Sequence, residues 1–254
     1  MVPKEYYGRL FTKEQLPVDY HSEAFTLESM IKVDKQLRCK RCYSQIEEDW
    51  QLPEGQYYCR ACIVFGRNQE GKELYYFPSK TSEIEFPVLK WLGELTPYQA
   101  EVSEKLLETY QKQKDSLVHA VTGAGKTEMI YKIVAYVLGN KGRVAIASPR
   151  VDVCRELFLR MQRDFTCSIS LLHAESEPYD GSPLVIATTH QLLKFYQNFD
   201  LVIVDEVDAF PFVGNVMLNH AVEQAKKETG RYIYLTATST LSLEEQVRLG
   251  ALEK

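Results

Sequence analysis

The sequence predicts an α/β protein in which a small zinc-ribbon module precedes a doubly wound parallel sheet. The sheet is predicted because short apolar runs alternate with amphipathic helical stretches from residue 95 onward, as in parallel sheets covered on both faces. The module is predicted by four cysteines in two close pairs. Hydrophobic residues make up 45% of the 254 residues, which is ample for a buried core.

The order of these runs gives the predicted elements. Strands are predicted at residues 117–121, 144–147, 169–172, 184–187, 201–204 and 232–235. Helices are predicted at residues 100–110, 128–138, 151–163, 191–196 and 215–228. Because ligands bind at the carboxyl ends of the strands in such sheets, motifs that begin where a strand ends are the candidate functional site.

Four parts are predicted along the chain. Residues 1–31 form a weakly patterned N-terminal segment, 32–70 the zinc-binding module, 71–94 a connector, and 95–254 the α/β domain. Within the module, residues 50–58 indicate two short strands around a Pro-Glu-Gly turn. The connector contains a β-forming run at 73–77.

Composition limits the class of protein. No run of 18 uncharged apolar residues occurs, and no apolar leader region follows the start, so a cytoplasmic protein is expected. The formal net charge is -5, without a polybasic tail. Nucleic-acid binding would therefore have to come from local basic patches.

The cysteines have the spacing of a zinc ribbon: Cys39-x2-Cys42-x16-Cys59-x2-Cys62. Two Cys-x-x-Cys turns can aim four thiolates at one Zn²⁺ and leave no open position, which predicts a structural site. Two disulfides are the alternative, but the absence of a leader makes them the weaker hypothesis. Cys154 and Cys167 lie far along the chain and are interpreted as ordinary buried thiols.

Residues 120–127, Ala-Val-Thr-Gly-Ala-Gly-Lys-Thr, lie between a predicted strand and a predicted helix, the context of a phosphate-binding loop. Four small residues would let the backbone N–H groups surround phosphate oxygens: Thr122, Gly123, Ala124 and Gly125. Lys126 would reach the β and γ phosphates, and Thr127 would place its hydroxyl on Mg²⁺. The loop predicts ATP binding.

A second motif, Asp205-Glu206-Val207-Asp208, follows the apolar run 201–204. Asp205 would hold Mg²⁺ directly or through water, and Glu206 would orient the attacking water. Asp208 completes a DExD pattern, either with a direct role or as an exposed loop acid. Two acids after a strand could merely cap a helix, but their pairing with the phosphate loop predicts an ATPase with Lys126, Asp205 and Glu206 as catalytic residues.

These motifs resemble those of superfamily 2 helicases, whose first motor lobe is RecA-like, and Ala120 in place of the usual first glycine is the form found there. The resemblance implies that Thr236-Ala237-Thr238 couples the nucleotide state to nucleic acid. It also implies nucleic-acid phosphate contacts for two short segments, with the candidates Pro149, Arg150, Thr188 and Thr189. Arg150 could equally be a solvated charge at a helix start.

Gln99 fits two roles. Thr96-Pro97-Tyr98-Gln99 has the residue types of a capping box with proline at the first helical position. In superfamily 2, a glutamine shortly before the phosphate loop reads the adenine edge. We favour adenine recognition, and the two roles can coexist.

The zinc module also carries basic and aromatic residues: Lys32, Lys35, Arg38, Lys40, Arg41, Tyr43, Tyr57, Tyr58 and Phe65. Basic and aromatic side chains on one small surface suit single-stranded nucleic acid. The aromatic side chains could instead fill the small core of the module.

Over roughly residues 35–240, the chain resembles the ComFA family of late-competence DNA-uptake ATPases. The resemblance lies in five segments: the cysteine module, Leu-Thr-Pro-Tyr-Gln at 95–99, Ala-Val-Thr-Gly-Ala-Gly-Lys-Thr-Glu, Asp-Glu-Val-Asp and Thr-Ala-Thr. The primosomal replication-restart helicase shares the phosphate-loop run, but its cysteines come later. The resemblance implies ATP-driven translocation of single-stranded DNA. It further implies work at the cytoplasmic face of the membrane with the DNA-uptake channel and other competence proteins, and it allows a homo-oligomer.

Superfamily 2 motors place ATP between two lobes, and an arginine finger in the second lobe contributes about 10³ to 10⁵ in rate. The sequence reaches Lys254 just after the Thr-Ala-Thr strand, so we expect the first lobe alone, with weak nucleotide binding and slow hydrolysis. The alternatives are a primosome-type DNA helicase, an RNA helicase, or a zinc-dependent single-stranded-DNA-binding adaptor with a vestigial ATPase fold.

Overall fold

The computed structural model describes residues 2–254 except 82, 85, 122, 210, 213, 239 and 240, with only the backbone of 241–243. Its strands are β1 (Leu10–Thr12), β2 (Phe25–Glu28), β3 (Met30–Val33), β4 (Gln36–Cys39), β5 (Glu73–Tyr76), β6 (Asp115–His119), β7 (Val144–Ser148), β8 (Ile169–Leu172), β9 (Leu184–Thr188), β10 (Phe199–Val204), β11 (Lys226–Thr236) and β12 (Leu252–Glu253). Its α-helices are α1 (Pro97–Gln111), α2 (Lys126–Met129), α3 (Tyr131–Gly139), α4 (Val151–Asp164), α5 (Val216–Ala225) and α6 (Leu241–Arg248).

The largest layer is a seven-stranded parallel sheet in the order β12-β6-β11-β10-β7-β9-β8. All of its strands are parallel, so their carboxyl ends meet at one edge. The predicted fold class is confirmed. β6 ends at His119 and β10 at Val204, directly before the phosphate loop and the acidic motif.

Successive side chains of each strand point to opposite faces of the sheet, so each face has its own hydrophobic core. Ile146, Ile186 and Ile203 pack with α3 and α4 on one face. Ala145, Val185 and Val202 lie on the other face, in a cluster that also contains residues of α5 and all four paired cysteines. The cysteine module thus shares a core with the seven-stranded sheet.

Two smaller sheets precede the α/β domain. β1, β5 and β2 form an antiparallel sheet in that order, and β3 and β4 form a hairpin. The run predicted at 73–77 forms β5, and its partners come from the N-terminal segment, so strand pairing joins residues 1–31 to the connector. β3 crosses the predicted boundary between residues 31 and 32.

Some element predictions were wrong in detail. The helix expected at 191–196 is a 3-10 helix at Thr189–Lys194, and α5 ends at Ala225 because the chain enters β11 at Lys226. The two strands expected at 50–58 reduce to one antiparallel bridge between Gln51 and Tyr57.

Within the described residues, no helix is both long enough and apolar enough to span a membrane.

Candidate active site and metal centre

The phosphate loop connects β6 to α2, and its shape depends on two glycines. Gly123 has φ +82° and Gly125 φ +78°, in the left-handed region that side chains with a Cβ adopt at a cost. A Cβ on Gly125 would also clash with the amide of Gln99. Thr122, the first predicted phosphate contact, lies outside the described residues.

Lys126 and Asp205 face each other across this loop. Lys126 begins α2, Asp205 follows β10, and Nζ lies 3.8 Å from Oδ1. The Lys126 side chain is 14% exposed and the Asp205 side chain 15%. Burial raises the pKa of Asp205, and the charge of Lys126 opposes this effect. The pair places a cation and a carboxylate where the predicted loop would hold phosphates.

Glu206 has a strained backbone and, among the described residues, one ion-pair partner. Its φ is +56°, which is uncommon for a residue with a side chain. Oε1 lies 3.6 Å from Nη1 of Arg150, whereas Oε2 is buried and finds no hydrogen-bond partner in the described part of the chain. Burial raises the pKa of Glu206, and Arg150 opposes this. The carboxylate is therefore partly buried, with its side chain 28% exposed, beside the candidate phosphate site.

Gln99 caps α1 and contacts the phosphate loop. Its Oε1 accepts from Thr96 N at 2.9 Å, and its N donates to Thr96 Oγ1 at 3.4 Å, which completes a capping box. Its Nε2 donates to the carbonyl of Ala124 at 2.8 Å. The capping interpretation fits this geometry, and adenine recognition stays a prediction.

The Thr-Ala-Thr segment touches both motifs. Ala120 N donates to Thr236 O at 3.0 Å, and Val207 N donates to Leu235 O at 3.3 Å. The side chain of Asp208 accepts hydrogen bonds from Thr238. Thr236 is buried, Ala237 is half-buried and Thr238 is exposed. The end of β11 is thus in direct contact with the phosphate loop and the acidic motif.

The predicted nucleic-acid contacts differ in accessibility. Arg150 is exposed at the N-terminus of α4, next to the half-buried Pro149. Thr188 is 8% exposed and Thr189 is fully buried, because the chain turns into the 3-10 helix there. The Thr189 side chain is therefore not accessible in this conformation, and the predicted role of this segment in nucleic-acid binding stays a prediction.

The four cysteines converge on one point. All four side chains are buried, and their Sγ atoms lie within 4.8 Å of one another. Cys39 and Cys62 are 3.6 Å apart and Cys42 and Cys59 3.5 Å, near the roughly 3.8 Å that tetrahedral Zn–S bonds of about 2.3 Å require. None of them forms a disulfide. The donor set fits Zn²⁺, and hydrogen bonds among the thiols hold the pKa of Cys39 well below its usual range.

Two further residues support this cluster, and no local sequence pattern indicated either of them. Asn68 Nδ2 donates to Cys39 Sγ at 3.1 Å and to Ser29 O at 2.7 Å. His220 Nε2 lies 3.1 Å from Lys40 O, and its ring stacks on Tyr43 at 5.1 Å. Their partners lie 29 or more residues away along the chain, so local motifs could not reveal them.

The basic patch predicted on the module is only partly a surface. Arg41 is fully buried, its Nη1 donates to Gly66 O at 2.8 Å, and its carbonyl accepts from Gln224 at 3.0 Å. Tyr43 packs against α5 through His220. Lys32 and Lys35 are exposed. Part of the predicted nucleic-acid surface is therefore used to attach the module to the α/β domain.

This chain is similar to helicases and to competence proteins. Residues 96–246 match the DEAD/DEAH box helicase family. The chain is 57% identical over 253 residues to competence protein ComFA of Streptococcus pneumoniae (strain ATCC BAA-255 / R6), covering 98% of this chain and 58% of that protein. It is 34% identical over 250 residues to competence protein ComFA of Bacillus subtilis (strain 168), covering 95% and 54%.

A weaker similarity is to replication restart protein PriA of Bacillus subtilis (strain 168), at 23% identity over 177 residues, covering 63% of this chain and 22% of that protein. The predicted resemblance to ComFA is confirmed. The chain spans 58% and 54% of the lengths of the two ComFA proteins, a little over half.

Proposed function

Because the chain belongs to the DEAD/DEAH box helicase family, we propose that it forms the nucleotide-binding lobe of an ATP-driven DNA translocase that serves single-stranded DNA uptake during competence. The family supports an ATPase of the helicase type. The ComFA relatives support a role in competence.

The observation that carries the proposal is the Lys126–Asp205 pair at 3.8 Å beside the two left-handed glycines. A triphosphate requires a lysine, a metal and backbone N–H groups at one place. Lys126 would bind the β and γ phosphates. Thr127 and Asp205 would hold Mg²⁺, which neutralises charge on the transferred phosphoryl group. Glu206 would orient the attacking water.

The same proposal assigns the remaining parts. Zn²⁺ would be held by the cysteine cluster and would stabilise the module that packs on α5. The partners would be single-stranded DNA, the membrane DNA-uptake channel and other competence proteins, and a homo-oligomer is compatible with this scheme. The protein would act in the cytoplasm, at the inner face of the cell membrane.

The test is nucleotide binding by the Lys126→Ala variant. A fluorescent ATP analogue with Mg²⁺ should bind the wild-type chain. Its affinity for Lys126→Ala should be lower by about tenfold or more, because a charge-assisted contact is removed. Lys132→Ala is the matched control, since Lys132 on α3 is exposed and pairs with Glu104. Equal binding by wild type and Lys126→Ala would refute the nucleotide site.

Choice of nucleic acid is tested separately. Single-turnover ATP hydrolysis should be stimulated by a 20-nucleotide thymidine DNA strand, (dT)20, and much less by the matching uridine RNA. Stronger stimulation by RNA would favour an RNA helicase. DNA binding that persists without any nucleotide binding would favour the adaptor function.

A further inference from the structure

Arg150 lies between two carboxylates at the start of α4. Its Nε and Nη2 donate to Asp152 at 3.3 and 2.6 Å, while Nη1 lies 3.6 Å from Oε1 of Glu206. Its side chain is 54% exposed. One guanidinium therefore connects a solvent-facing acid to the candidate catalytic acid.

The ion pair with Arg150 is the one side-chain interaction of the Glu206 carboxylate within the described part of the chain. The Glu206 side chain is 28% exposed, and its second oxygen is buried without a hydrogen-bond partner among the described residues. A carboxylate held only by one ion pair at 3.6 Å can change its orientation when that partner is removed. Arg150 is thus the one described side chain that pairs with the Glu206 carboxylate.

Arg150 also has the chemistry to bind a phosphodiester. A guanidinium forms paired hydrogen bonds with phosphate as readily as with carboxylate. The Arg150 side chain is exposed at the sheet edge where the acidic motif lies, since β7 and β10 are parallel neighbours. A strand phosphate that engages Arg150 must compete with Asp152 and Glu206 for the same N–H groups.

We propose that Arg150 is a positioning residue whose guanidinium is held either by Glu206 or by a phosphate of single-stranded DNA. Without DNA, Arg150 keeps Glu206 in an unproductive orientation. DNA withdraws Arg150 and releases Glu206 to orient the attacking water. The inference rests on the proposed function, and it implies that Glu206 and DNA weaken each other's contact with Arg150 by the same factor.

The first test measures affinity for (dT)20 by fluorescence anisotropy, at one salt concentration, in a double-mutant cycle of the 254-residue chain. Glu206→Gln should tighten the binding of (dT)20 about two- to fivefold when Arg150 is present, because the Glu206 carboxylate no longer competes with phosphate for the Arg150 guanidinium. In the Arg150→Gln background the same change should have no effect. Glu156→Gln is the control, since Glu156 on α4 pairs with Arg160.

The outcomes separate the two claims. An equal gain in both backgrounds, or no gain with Arg150 present, would overturn the inference while leaving the proposed function intact. No binding of (dT)20 by the wild-type chain would overturn the proposed DNA function and the inference together.

The second test is single-turnover ATP hydrolysis. Arg150→Gln should raise the rate without DNA about two- to fivefold and abolish stimulation by (dT)20, and Arg150→Lys should retain part of the stimulation. A purely structural role predicts a lower rate in both conditions. A rate without DNA that stays unchanged or falls in Arg150→Gln would overturn the inference.

Discussion

The carboxylate of Asp208 accepts hydrogen bonds from Thr238 through both the backbone N–H, at 3.1 Å, and the side-chain hydroxyl. Burial raises the pKa of Asp208, but the hydrogen bonds from Thr238 and Thr236 outweigh burial and bring the pKa below its usual value. The last acid of the DExD pattern therefore holds the segment after β11. Asp208 is half-buried and engaged by Thr238, so it is not an unengaged surface acid, and its direct role at the phosphates stays a prediction.

Asp208→Ala should uncouple DNA binding from hydrolysis, because the segment after β11 loses its acceptor in the acidic motif. We expect stimulation by single-stranded DNA to fall about tenfold, while affinity for a fluorescent ATP analogue changes less than about twofold. Thr238→Ser keeps both donors and should behave like wild type. Full stimulation in Asp208→Ala would show that this contact carries no coupling.

Gln99→Ala should reduce stability and nucleotide affinity together. The change removes the capping box, at a cost of about 1 kcal/mol, and the hydrogen bond to Ala124 O. Comparing ATP with GTP separates the two roles. If Gln99 reads adenine, the variant loses the preference for ATP. If Gln99 only caps α1 and supports the loop, both affinities fall equally.

Thr96→Ala is the matched control for Gln99, because it removes the capping hydroxyl and leaves the amide in place. It should lower the melting temperature without changing the ATP to GTP ratio. A changed ratio in Thr96→Ala would mean that the cap itself sets the position of the amide.

Cys39→Ser should abolish zinc binding and weaken the attachment of the module to α5. Zinc content measured by atomic absorption should fall from about one ion per chain to near zero, because one of four thiolates is missing. The cysteines share a core with α5, so hydrogen exchange should quicken around His220 as well as within the module.

Cys167→Ser is the control for this experiment, since burial raises the pKa of Cys167 to about 11 and it lies outside the cluster. It should keep its zinc. Unchanged zinc content in Cys39→Ser would contradict the zinc site. Unchanged hydrogen exchange around His220 would contradict the packing of the cysteine module on α5.

Local patterns were sufficient for the parts of the fold that repeat or carry motifs. The parallel strands could be predicted because each is a short apolar run, and the cysteine cluster because its spacing is fixed by the metal geometry. The β3–β4 hairpin was missed because its turn uses Asp34 and Lys35 at positive φ, without the usual glycine.

Long-range contacts could not be predicted from sequence. His220 looks like any polar residue on an amphipathic helix, and only the fold brings it to Tyr43. The strands of residues 1–31 were unrecognised for the same reason, because their partner β5 lies more than forty residues away. The four-part division of the chain and the roles of the site residues stay predictions.

Asp164 should make the stability of the α/β domain sensitive to acid. Arg163 donates to its two oxygens at 2.8 Å each, and the Tyr131 hydroxyl donates to Oδ2 at 2.6 Å. The hydrogen bonds from Arg163 lower the pKa of Asp164 against the opposing effect of burial, and Tyr131 adds to the lowering.

Because the folded-state pKa is below the ordinary carboxyl value of about 3.9, the stabilising contribution is complete above that pH and disappears as the pH falls through the lowered pKa. Asp164→Asn should cost about 1–3 kcal/mol in the free energy of unfolding at pH 7. The gap between the variant and wild type should then narrow below about pH 4.

Chemical denaturation at a series of pH values measures this gap, and loss of zinc in acid affects both proteins alike. Asp49→Asn is the control, because Asp49 is 72% exposed in its ion pair with Arg60 and should change stability little at any pH. A gap that stays constant from pH 7 to about pH 3 would mean that the neutral acid is held as well as the carboxylate. The Arg163 and Tyr131 donors would then stabilise the fold by hydrogen bonding that does not depend on charge.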